Sequence, residues 1–116
     1  MDMERVLEIF GSLTGLDEPS VTEYRFLCEM AFGNIKGRLK KTETEEDGGR
    51  ADFAAAALAY YRYVLLSVTE AGTVTVGEVS VRNQAERLEY ADRLLREALA
   101  DIRELAEDDG FVFERI

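Results

Sequence analysis

Apolar residues recur along this chain at intervals of three and four, the spacing of a helix packed on one side. The clearest run lies between residues 20 and 40, where Tyr24, Leu27, Cys28, Ala31, Ile35 and Leu39 share one face. A shorter helix is expected ahead of it over 3–13, N-capped by Asp2, with Val6, Leu7, Ile9 and Phe10 on its apolar side. Gly15 makes the turn between the two. Two start signals then overlap: Asp17 followed by Pro19, and the capping box Ser20-Val21-Thr22-Glu23.

The third helix, over 50–71, has a different pattern. Ala54, Ala55, Ala56, Ala57, Leu58, Ala59, Tyr60, Tyr61, Tyr63, Val64, Leu65, Leu66 and Val68 cover nearly its whole circumference, and a helix apolar all round is a buried one. The fourth helix, over 83–108, is an ordinary bundle helix. Leu88, Ala91, Leu95, Ala98, Ile102 and Leu105 form a heptad seam, and the opposite face carries i,i+4 pairs such as Glu89 with Arg93 and Asp92 with Arg96.

Between the helices the pattern breaks in three places. Residues 42–49, TETEEDGG, hold four acids and two glycines without an apolar side chain and predict a flexible acidic loop. Residues 73–82 alternate valine with polar residues around Gly77-Glu78, which predicts a β-hairpin with a type II′ turn. In that register Val74 and Val76 face Val81 and Val79, giving one apolar side in need of a partner surface. Beyond Gly110, residues 111–116 predict an extended arm with Phe111 and Phe113 on one side. The expected fold is mainly α: a single domain over 1–116 of four helices, with one hairpin between the third and fourth. Gly33 and Gly37, four apart in the second helix, allow either a weak last turn or the close approach of another helix.

Composition removes many chemistries. The chain has 116 residues, 24 acidic against 14 basic, a net charge of −10 and no histidine. Without histidine there is no His-based acid/base chemistry and no Ser-His or Cys-His nucleophile. The lone Cys28 lies on an apolar stripe and reads as a core thiol. Gly48-Gly49 lacks the lysine and hydroxyl of a phosphate-binding loop, the carboxylates of the fourth helix are spaced with arginines as on a solvated face, and the Lys36, Arg38, Lys40, Lys41 cluster suits a helix C-terminus. No enzyme activity, cofactor or metal is expected. The acidic balance opposes a grip on a phosphate backbone, yet suits a surface past which DNA slides. The apolar runs fall short of a membrane span, and MDMERVLEIF lacks the basic start of a secretion signal, so a cytoplasmic location is expected.

Two helices, a third rich in alanine and tyrosine, the segment 77-GEVSV-81, then a charged fourth helix: over roughly residues 20–108 this resembles the small head-to-tail connector, or adaptor, proteins of tailed bacteriophages and prophages. The resemblance implies a ring of identical subunits between the capsid portal and the tail, with DNA passing through its centre and a location in the virion. Gly77, Glu78, Val79, Ser80 and Val81 would then be contact residues. The hairpin pattern adds Val74 and Val76, and the C-terminal arm adds Phe111 and Phe113. The alternative is a small acidic helical regulator or inhibitor that binds one protein partner.

Overall fold

The computed structural model describes the backbone of residues 1–39, 45–71 and 77–103, and the side chains of 1–39, 48–67 and 85–103. Five helices follow in order: α1 (Met3–Thr14), α2 (Glu18–Glu23), α3 (Arg25–Lys36), α4 (Glu45–Ala71) and α5 (Gly77–Asp101).

Helix α4 is the axis. Residues 54–60 are all buried, the alanines among them completely, because α1, α3 and α5 each pack along it. Small side chains on every side let three neighbours approach the helix over this stretch, as the all-round apolar pattern predicts, but the expected burial does not reach Leu65 and Leu66, which are exposed. Leu95 and Leu99 of α5, Ile102 just past its end, Ile35 and Cys28 of α3, and Val6 and Phe10 of α1 complete the core.

Cross-contacts fix the directions. Arg50 Nη1 donates to the carbonyl of Asp101 (3.0 Å) and Tyr60 packs edge-on against Tyr90 (6.3 Å), so α5 runs antiparallel to α4. Asp2 lies beside Asp52 and Phe10 beside Tyr63, so α1 runs parallel to it. The Tyr63 ring also meets Tyr24 edge-on at 4.9 Å, which pins the start of α3. Since Phe10 is level with Tyr63 and α1 runs one turn further, to Thr14, only the last turn of α4, to Ala71, extends past α1 and the start of α3, together with the antiparallel start of α5. Just before that turn Leu65 and Leu66 are exposed, whereas Val64 is buried.

The β-hairpin expected at 73–82 is contradicted. Among the described residues there is no strand, and α5 begins at Gly77, so Gly77, Glu78, Val79, Ser80, Val81 and Arg82 are helical. The physical reason lies in the fourth-helix seam. Counting back by sevens from Ile102, Leu95 and Leu88 reaches Val81, so the heptad continues through the segment. An isolated two-stranded ribbon is marginal in water, while an extended α5 satisfies the same backbone groups internally. Thr73, Val74, Thr75 and Val76 lie outside the described residues, as does the expected arm at 111–116.

Two boundaries also differ from expectation. The helix expected over 20–40 is two helices that meet at Tyr24, whose N–H donates to the carbonyls of Ser20 and Val21 (3.2 and 3.1 Å). Of the two overlapping start signals the chain uses the first: Asp17 Oδ1 accepts from the Ser20 N–H at 3.0 Å, with proline in the first turn. Helix α4 starts at Glu45 rather than Arg50, with Glu45, Glu46 and Asp47 in the turn where the macrodipole favours acids. Residues 42–44 of the expected acidic loop lie outside the described residues.

Candidate functional site

The sequence-predicted contact residues divide into two groups. Gly77, Glu78, Val79, Ser80 and Val81 come together on the opening turns of α5. Val74, Val76, Phe111 and Phe113 lie outside the described residues, so nothing joins them to that group. The register with α4 sets these opening turns opposite the last turns of α4, past the ends of α1 and α3. The segment 77-GEVSV-81 therefore belongs to a projecting pair of helices.

Three large apolar side chains stand out among the described residues. Met30 is 60% exposed, Tyr90 52% and Phe26 50%. Phe26 and Met30 share the outward face of α3 with Gly33, where a Cβ would meet nothing within 4 Å. Among the described residues no other helix approaches there. Of the two meanings open to Gly33 and Gly37, close approach of another helix is therefore not seen at Gly33 among the described residues. Gly37 is the C-cap of α3, its N–H donating to the Gly33 carbonyl at 3.0 Å. Neither glycine was placed by periodicity next to an exposed Phe26 and Met30, because both aromatic and thioether side chains read as core formers in a sequence.

Asp52 is the one buried acidic side chain of the described core. Its Oδ1 accepts from the Asp2 N–H at 2.8 Å, while Asp2 Oδ1 accepts from Glu4 N–H at 3.0 Å. Two carboxylates thus satisfy the opening donors of α1, one from its own N-cap and one from α4. Burial holds Asp52 above the usual carboxylate range, opposed by the Asp2 N–H hydrogen bond. This pair docks a helix, with the N-terminal amine and Arg5 near enough to favour the Asp52 carboxylate. Cys28 is completely buried, and burial pushes its thiol up to about 12, far from thiolate chemistry at neutral pH.

An open groove between α1 and α4 is lined by Asp2, Glu4, Arg5, Glu8, Ile9 and Phe53 among others. Among the described residues no group of His, Cys, Asp and Glu could hold a metal ion, and no helix is long and apolar enough to cross a membrane. No protein-family model, curated protein or solved structure matches this chain.

Proposed function

We propose that this chain is a structural protein of a phage or prophage head-tail junction, one subunit of a ring through which DNA passes. The observation that carries the reading is the projecting pair of helices. It bears 77-GEVSV-81, the segment on which the connector resemblance rests, and extends about a turn past α1 and α3, with Leu65 and Leu66 exposed just before it. An element of that kind can reach a neighbouring subunit, the portal or a tail protein. Its partners are therefore copies of itself and the adjoining portal or tail component, with DNA a passing substrate. A net charge of −10 supports passage without adhesion. The protein would be made in the cytoplasm of the bacterial host and end in the virion.

Sedimentation over a wide range of concentration, followed by electron micrographs of the concentrated protein, tests the reading. Closed annular particles of identical subunits are expected. Monomers or dimers at every concentration, with the fold intact, would overturn it in favour of a small acidic regulator.

A further inference from the structure

We propose that the outward face of α3, formed by Phe26, Met30 and Gly33, docks on the outward face of α5 around Tyr90 in a second copy of this chain. On a helix of 3.6 residues per turn, Phe26, Met30, Gly33 and Gly37 fall within about 60° of one another. They form a stripe with two large apolar groups at one end and a glycine backbone open to solvent at the other. On α5 the same geometry aligns Glu86, Tyr90, Arg93, Glu97 and Asp101, all exposed. The three most exposed large apolar side chains among the described residues are thus confined to these two faces.

Charge selects the occupant. Residues 25–39 hold three basic side chains (Arg25, Lys36, Arg38) and one acid (Glu29), a balance of 3 − 1 = +2, while the rest of the chain has 11 basic and 23 acidic residues, a balance of 11 − 23 = −12. Lys36 stands exposed beside the α3 stripe, with its ammonium 5.6 Å from the Phe32 ring. The α5 stripe presents three carboxylates and one arginine, Arg93, around an aromatic ring, a balance of 1 − 3 = −2. A contact of α3 with α3 would oppose cation to cation, whereas α3 on α5 opposes cation to carboxylate. A second copy supplies that acidic partner at equal concentration. Because α3 and α5 pack on α4 rather than on one another, one subunit presents both faces at once. The contact is head-to-tail, the kind that closes into rings or runs on as filaments. Closure into a ring is the only part that rests on the connector reading.

The test is self-association of the full chain, read by sedimentation in low and high salt. Gly33→Gln and Met30→Glu each raise the dissociation constant at least about tenfold, the loss expected at the centre of a contact. Gly33→Gln replaces a helix glycine with a better helix former, so its melting temperature does not fall and misfolding is excluded as the cause. Lys36→Glu and Glu97→Lys each weaken association, and the chain carrying both recovers most of it, since the pair is restored across every contact. Salt weakens the parent and leaves the single charge variants less affected. If the parent associates and the Gly33 and Met30 variants associate equally well, these faces are refuted while the ring reading stands. Failure of the double charge variant to recover refutes the pairing of α3 with α5. A parent that remains monomeric at all concentrations overturns both.

Discussion

Four consecutive alanines give the strictest test of the fold. Residues 54–57 point in directions about 100° apart, so together they sample most of the circumference of α4, and all four are completely buried. In an amphipathic helix at least one of four successive positions faces solvent and accepts a larger side chain. Here each of Ala54→Leu, Ala55→Leu, Ala56→Leu and Ala57→Leu should destabilise the protein, because an isobutyl group must enter a space sized for a methyl. Overpacking of this kind costs about 1–3 kcal/mol, while leucine and alanine differ in helix propensity by only a few tenths. For a domain of this size about 4 °C of melting temperature accompanies each kcal/mol, so drops of about 4–12 °C are expected. Circular dichroism melts of the four variants, with urea titrations beside them, measure the effect. One variant that melts at or above the parent temperature would mean that side of α4 is uncovered, and the three-neighbour packing would be refuted.

The Asp52 contact separates charge from hydrogen bonding: Asp52→Ala leaves the Asp2 N–H without its acceptor and should cost about 1–3 kcal/mol in urea melts, while Asp52→Asn keeps an acceptor oxygen in place. Because burial raises the Asp52 pKa above its ordinary 3.8, the folded chain retains a proton that the unfolded chain releases. Stability conferred by this group therefore falls as pH rises through that window, and Asp52→Asn should remove that component from a stability profile taken upward from pH 4. Cys28, with its thiol near 12, should resist a thiol-specific reagent at pH 8 in native protein and react promptly in denaturant; rapid native labelling would show that the α3 face in contact with α4 opens readily.

Most of the helical content was legible because long periodic segments report their own burial. The α3 stripe from Leu27 to Ile35 and the α5 seam through Ala91, Leu95, Ala98 and Ile102 are buried where spacing put them, and the alanine run announced a helix enclosed by others. The segment 73–82 was misread because period-two alternation over so few residues also fits a helix, and the decisive clue, Val81 at heptad spacing from Leu88, lies in the neighbouring element. The break at Tyr24 was hidden because the apolar face continues through it; only the competition between two caps, won by Asp17, marks it. Arg50 as a helix start followed from the two glycines before it, whose propensity cost the acids of the first turn and the packing of Gly48 override. The candidate surface was least legible: Phe26 and Met30 are apolar residues near an apolar stripe, and nothing in a single sequence says that their side of α3 stays uncovered.

The parallel docking of α1 has a consequence for the order in which the chain acquires structure. Helices α3, α4 and α5 are joined to one another as sequence neighbours, so their packing closes only short loops. The link between Asp2 and Asp52 spans 50 positions, and the entropy of closing so long a segment is recovered only after α4 is already formed. Helix α1 should therefore arrive last and leave first. In native-state hydrogen exchange its amides would open at lower free energy than those of the alanine run, as a detachable unit on a core that persists without it.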